Sequence, residues 1–318
     1  MFFDMHADIW SNTLWEYEKG NKDIIRKKFK SKFDNGKMLG GIFVIWLNEI
    51  DNSEEKFLKS LRVMSEELYY TKDFIHIVKT SNDFNIAKNN NKLGVVLGVE
   101  GLAGIGDKLD YIYLLEQIGI RHIGLTWNES NLIATGQSGD INRGVTKLGV
   151  DAIKIIENLN ILLDLSHAND KTFWDVEKYS KKPFFASHSN ARSLCPSMRN
   201  LNDEQLLCIK DRNGMVGLNS YHGFVSQKDN DKTLDMLINH LEYVASKIGI
   251  DKVGFGFDFA DYYAFEGETV RDLENLADVN DLNNISTILK KRGYSNNEID
   301  MITHKNFISF FKRVRNDE

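Results

Sequence analysis

Eight short apolar runs recur along this chain, separated by segments with helical periodicity, and that alternation restricts the fold more than any other feature. The runs are Phe2–Ala7, Leu39–Leu47, Leu93–Val99, His122–Trp127, Ile161–Ser166, Pro183–Ser187, Met215–Asn219 and Val253–Phe257. They are near-continuous rather than alternating, as parallel strands covered on both faces are. Between them, Glu54–Tyr70 places Phe57, Leu58, Leu61, Met64 and Leu68 on one helix face. Similar periodicity marks Leu109–Ile118, Leu148–Leu159, Asp203–Lys210 and Thr233–Ile248. Eight strands alternating with helices specify an α/β fold, a (β/α)8 TIM-like barrel. An open doubly wound sheet fits less well, because no Gly-x-Gly-x-x-Gly follows an early strand. Near the end, Ser295-Asn296-Asn297-Glu298 fits a capping box, and Ile299, Ile302, Phe307, Phe310 and Phe311 follow it. One or two C-terminal helices closing the barrel are expected there.

The length of 318 residues suits such a barrel, whose typical size is about 250 residues before insertions. With two prolines, no Ser/Gly-rich linker and no repeat, residues 1–318 are expected to form a single domain. A net charge of −6, with Lys and Glu interspersed, leaves no basic stripe for phosphates, so nucleic acid is not an expected partner. The longest apolar runs, such as Gly40–Leu47, fall far short of the roughly 20 residues a membrane helix needs. Asp4 and Asp8 interrupt what would be the core of a secretory signal. Cys195 and Cys208 stand in unlike surroundings and suggest no disulfide framework, so a reducing cytoplasm is the expected location.

In a barrel of this kind the carboxyl ends of the strands build the active site. His6 and Asp8 end the first run, Glu100 follows the third, His167 the fifth, His188 the sixth and Asp258 the eighth. Taken singly, each has an ordinary reading: a strand-end His as a hydrogen-bonding loop residue, an Asp as the cap of the next helix. Together, three His and three carboxylates at five of eight strand ends point to shared metal binding. In an extended strand, side chains at i and i+2 share a face, which would bring His6 and Asp8 to one point. The set exceeds the needs of one four-coordinate zinc, so two divalent metal ions are expected. Glu100 suits the bridge between them, His6 and Asp8 completing one metal and His167 and His188 the other. Asp258 is then placed as general acid/base. Arg199, shortly after His188, can grip a substrate carboxylate, although loop arginines are often merely solvated. Tyr221, with His222, follows the seventh run; pocket lining and ordinary loop packing are both open for it.

These residues resemble the membrane dipeptidase (renal dipeptidase) family, peptidase family M19 of the amidohydrolase superfamily. The similarity runs over nearly the whole chain: Asp4-Met5-His6-Ala7-Asp8, Gly98-Val99-Glu100-Gly101, Gly119 through Leu125-Thr126-Trp127-Asn128, Leu165-Ser166-His167, Ser187-His188-Ser189 through Arg199-Asn200, and Gly256-Phe257-Asp258-Phe259. The resemblance implies a distorted barrel with a dinuclear zinc site. It puts His6 and Asp8 on one metal, Glu100 between the two, His167 and His188 on the other, and Asp258 beside a bridging hydroxide that attacks the peptide bond. It also implies that Arg199 holds the terminal carboxylate of a dipeptide substrate and that a C-terminal D-residue is tolerated. A homodimer is compatible with it. One departure stands at the substrate-binding position Trp127, where renal-type enzymes carry histidine; an indole donates one hydrogen bond but neither accepts one nor carries a proton. No hydrophobic tail for a lipid anchor is seen.

Two alternatives are weighed against a zinc dipeptidase. Another amidohydrolase-superfamily hydrolase or deaminase would use the same metals with a different pocket, although Arg199 favours a substrate with a free carboxylate. A catalytically silent metal-binding barrel would have no use for Asp258.

Overall fold

The computed structural model describes residues 1–47, 53–261 and 273–317. Its strands are β1 (Phe2–Ala7), β2 (Met38–Trp46), β3 (Ile75–Ile77), β4 (Leu93–Glu100), β5 (Ile120–Gly124), β6 (Leu162–Asp164), β7 (Val216–Leu218) and β8 (Val253–Phe255). All pair in parallel, in the order β1-β2-β4-β5-β6 in one sheet and β7-β8 in another. Residues 183–187 join the two sheets, Phe185 bridging to Asp164 and Ala186 to Val216. The ring closes at its other side, where the Asp258 amide donates to the His6 carbonyl (3.3 Å) and the Phe257 amide to Asp4 Oδ1 (2.9 Å). Among the described residues, eight parallel staves therefore form the distorted barrel that the apolar runs predict.

Two local differences have physical causes. The run at 183–187 forms single bridges rather than a ladder because Pro183 has no amide proton and the Ser187 amide donates instead to Asp164 Oδ1 at 2.9 Å. The unexpected β3 is only three residues long and pairs with Leu93–Val95, below the point where β5 joins the same strand. So short a segment leaves no periodic trace.

Helices begin where side chains satisfy free amide protons. Ser53, Thr146, Asn169, Asn202, Thr233 and Ser295 each accept from the amide three residues on. At Ser295 the capping box predicted from the sequence is complete, Glu298 reaching back to the Ser295 amide.

The core has two layers. Phe43, Leu97, Ile123, Leu163, Leu218 and Val253 face outward to the helices. Inside the ring, Phe3, Met5, Ile42, Val44, Val96, Leu162, Phe185 and Met215 meet Phe307, Phe310 and Phe311 of the C-terminal helix Asn306–Arg315. Phe3 stacks on Phe307 at 4.4 Å, and Phe185 lies 5.1 Å from Phe310. The last helix therefore plugs the amino end of the barrel, and the carboxyl end is the one left for chemistry.

Close approach at that end depends on glycine. A Cβ at Gly217 or Gly256 would stand 1.9 Å from the Ser187 carbonyl oxygen, which belongs to backbone and cannot rotate away. Gly256→Ala is accordingly expected to lower the midpoint of thermal unfolding by several degrees, at the upper end of the ~1–3 kcal/mol typical of overpacked cores. An unchanged midpoint would mean that the Ser187 carbonyl can give way to the added methyl group.

Candidate metal centre and active site

His6 reaches the site through an irregularity in β1. Asp4 pairs with Gly41 and Ala7 with Phe43, so three steps of β1 oppose two of β2. Such a bulge re-aims the side chains that follow it: Met5 enters the barrel interior, and its neighbour His6 turns to the carboxyl-end cluster. Asp8 does not use the strand alternation that the sequence suggests. The strand stops at Ala7, and Asp8 is the turn residue preceding the helix Ile9–Glu18, from which its Oδ1 comes to 3.7 Å from His6 Nε2.

Glu100, the last residue of β4, stands at the centre. Its Oε1 is 2.9 Å from His167 Nε2, 3.4 Å from His188 Nε2 and 3.5 Å from His6 Nε2. Asp258 Oδ1 lies 3.8 Å from His6 Nε2, while its Oδ2 accepts from Asn219 Nδ2 at 3.0 Å. Asp258 holds a left-handed backbone, φ +56°, which Asp and Asn tolerate better than other residues with a side chain. The structure thus gathers His6, Asp8, Glu100, His167, His188 and Asp258 at one point, as the strand-end pattern predicts.

The ligand atoms of His6, Asp8 and Glu100 lie within 4.8 Å of one another, as do those of Glu100, His167 and His188. Both sets contain Glu100. A third set, His6, Asp164 and His188, meets the same distance, but the Asp164 oxygens are already taken by five protein donors. Two ligands 2.1 Å from a tetrahedral ion stand about 3.4 Å apart, close to the separations around His6. Neither ring nitrogen of His6 has a hydrogen-bond partner, although the residue is fully buried. His6 Nε2 and Glu100 Oε1, both buried without a hydrogen-bond partner and 3.5 Å apart, fit a divalent cation between them better than they fit one another.

Electrostatics point the same way. Burial alone would lower the His6 pKa, but Glu100, Asp8 and Asp258 outweigh it and raise the value to about 10. Burial holds Glu100 and Asp258 above the usual carboxylate range, and it pushes His167 and His188 well below the usual imidazole range, with Arg199 adding to the effect. The cluster demands positive charge beside His6, and His167 and His188 stay neutral, the form in which imidazole binds metal.

The remaining predicted residues border this cluster. Arg199 is buried; it donates to the Ser166 carbonyl, lies 3.0 Å from His167 Nε2 and stacks its guanidinium over Phe224 at 5.2 Å. Trp127 stands 6.1 Å from the His167 ring and 4.9 Å from Trp46. Tyr221 is 44% exposed, and its ring packs on His222 and Phe224. Its amide donates to the same Asn219 that holds Asp258.

Sequence reasoning misses Trp46, Asn128, Asp164 and Asn219. Trp46 ends β2 in register with Glu100, a pairing that only the sheet reveals. Asn128 accepts from His167 Nδ1 at 2.8 Å and lies within a quoted motif. Asp164 sits inside an apolar run and Asn219 at the end of one, and neither carries a signal beyond being polar there.

A parallel barrel with buried His and carboxylate groups converging at its carboxyl end has the make-up of a metal-dependent hydrolase site. Residues 3–318 match the family described as membrane dipeptidase, peptidase family M19. The chain belongs to that family, and its enzyme class is metallo-dipeptidase. An uncharacterised Klebsiella pneumoniae protein from the pqqA 5′ region is 30% identical over 265 residues, 80% of this chain and 95% of that one. In four other curated relatives the matched stretch covers between 54% and 64% of the relative's length. A metallopeptidase from Rhodobacter sphaeroides, solved with a phosphinate mimic of the dipeptide L-Ala-D-Ala, superposes with a TM-score of 0.85 at 25% identity, over 98% of this chain and 99% of that one. The structure of dipeptidase AC, a metallopeptidase of family M19, gives a TM-score of 0.86 at 26% identity, over 98% of each chain. Among the described residues, no helix is long and apolar enough to cross a membrane.

Proposed function

We propose that this protein hydrolyses the peptide bond of dipeptides at a centre of two divalent metal ions, with zinc the expected metal. The observation that carries the reading is the convergence of His6, Asp8, His167 and His188 around Glu100, with Asp258 on one side and Arg199 on the other. His6 and Asp8 would hold one ion, His167 and His188 the second, and Glu100 both. When bound, such ions polarise a carbonyl and acidify a water molecule.

The chain's own groups do the rest. Arg199, rigidly placed by the Ser166 carbonyl and the Phe224 ring, offers its guanidinium to the substrate's terminal carboxylate. Asp258 takes a proton at Oδ1 while Asn219 fixes Oδ2, and it returns that proton to the departing amine. Trp127 and Trp46 form an apolar wall beside His167 that limits water at the reacting bond. The L-Ala-D-Ala mimic held by the Rhodobacter relative supports a dipeptide substrate with a C-terminal D-residue.

The test is a panel of L,L and L,D dipeptides, with matching C-terminal amides, assayed on protein of measured metal content. Free dipeptides are expected to be cleaved. Their amides should lose about 10- to 100-fold in kcat/KM, the worth of a charged hydrogen bond of ~1.5–3 kcal/mol. Metal-replete protein that turns over none of the panel would sink the reading in favour of another hydrolase, a deaminase or a silent barrel.

A further inference from the structure

Behind His188 lies a buried network that the proposed chemistry does not touch. Asp164, the last residue of β6, accepts five hydrogen bonds. Oδ1 takes the Ser166 amide (3.0 Å), the Ser166 hydroxyl (2.7 Å) and the Ser187 amide (2.9 Å); Oδ2 takes His122 Nε2 (2.9 Å) and the Ser187 hydroxyl (2.5 Å). Five donors on two oxygens leave no acceptor for a proton on Asp164 itself. The Ser187 hydroxyl also lies 2.6 Å from His188 Nδ1.

A hydroxyl has one proton to give. If Ser187 donated it to His188 Nδ1, its oxygen would face Asp164 Oδ2 at 2.5 Å with no hydrogen between two lone-pair-bearing atoms, an arrangement that a buried site does not hold where no cation can lie between them; the Nε2 atoms of His188 and His167, 2.9 Å apart, face each other at the candidate metal position instead. The proton therefore points to Asp164, and the Ser187 oxygen accepts from His188 Nδ1–H. The same logic applies to Ser166, whose hydroxyl donates to Asp164 and accepts from the His188 amide at 3.1 Å.

We infer that Asp164 is a positioning residue: through the Ser187 hydroxyl it locks His188 in the Nδ1–H tautomer and so turns the Nε2 lone pair towards Glu100. This rests on the reading of His188 as a metal ligand, because a metal-bound imidazole needs that nitrogen unprotonated. His122 supplies the fifth donor that keeps the hub filled, and its ring is fully buried against Phe185.

Two measurements test it. On metal-free protein with 15N-labelled histidine, nitrogen-to-carbon-bound-proton correlations are expected to report the Nδ1–H tautomer for His188; the Nε2–H tautomer would overturn the inference. In chelator competition, Ser187→Ala should bind zinc about 10- to 100-fold more weakly, and Ser187→Thr, which keeps the hydroxyl, should restore the affinity with the tautomer signature. Ser187→Ala that binds zinc as tightly as the parent would also overturn it. Wild-type protein that binds no zinc defeats the metal reading instead, and the tautomer measurement still judges the network.

Discussion

Replacing Asp258 with asparagine is expected to abolish most dipeptide hydrolysis while leaving the bound metal in place. The substitution is close to isosteric, and asparagine tolerates the left-handed backbone at this position, φ +56°. Asn219 can still pair with the new carboxamide, since it need only meet the oxygen. What is lost is the ability to take up and return a proton, worth roughly 10²–10⁴ in rate. Asp258 Oδ1 stands 3.8 Å from His6 Nε2, at the edge of the ligand cluster rather than at its centre, so metal content should change little. Turnover and metal analysis on the same preparation separate the outcomes. Wild-type turnover would remove Asp258 from the proton path, and joint loss of metal and activity would recast it as a ligand.

Glu100→Gln should behave in the opposite way, losing metal and activity together. Its Oε1 lies within 3.5 Å of three imidazole nitrogens, and both ligand sets depend on it. A carboxamide keeps the shape but removes the negative charge and one acceptor oxygen. Dialysed protein should fall from about two metals per chain to one or fewer, and hydrolysis should drop below even that of Asp258→Asn. The same change should spare or raise thermal stability after chelation, because in the parent the Glu100 carboxylate is desolvated and crowded by Asp8 and Asp258. Full metal content in Glu100→Gln would exclude the shared-ligand role.

Much of this was legible in the chain, for reasons that differ by element. The staves read correctly because a parallel strand covered on both faces has to be apolar throughout, which leaves runs such as Leu93–Val99 in plain view. The candidate ligands stand out because a charged or imidazole group at the end of such a run is costly without a partner, so its presence is informative. Geometry that depends on a single residue did not read. The bulge in β1 that turns His6 inward, and the turn that brings Asp8 to it, follow from pairing with β2, not from the local pattern of His-x-Asp. Asp164 was hidden for a related reason: one polar residue within Ile161–Ser166 looks the same whether it caps a loop or gathers five donors. Trp46 was passed over although it ends β2 level with Glu100, because an aromatic residue at a strand end is indistinguishable from core until the register is known.

The aromatic plug at the amino end also bears on the order in which this protein can be made. By Asp258 the chain has produced every stave and every candidate ligand, yet Phe307, Phe310 and Phe311 arrive only with the final helix. Until they dock, Phe3, Ile42, Val96 and Phe185 line an open apolar bore. A ribosome-bound chain complete through Asp258 therefore carries all of the candidate site residues but lacks the stopper that makes the ring a sealed cup, and it is at this stage that it offers most to chaperones and to aggregation.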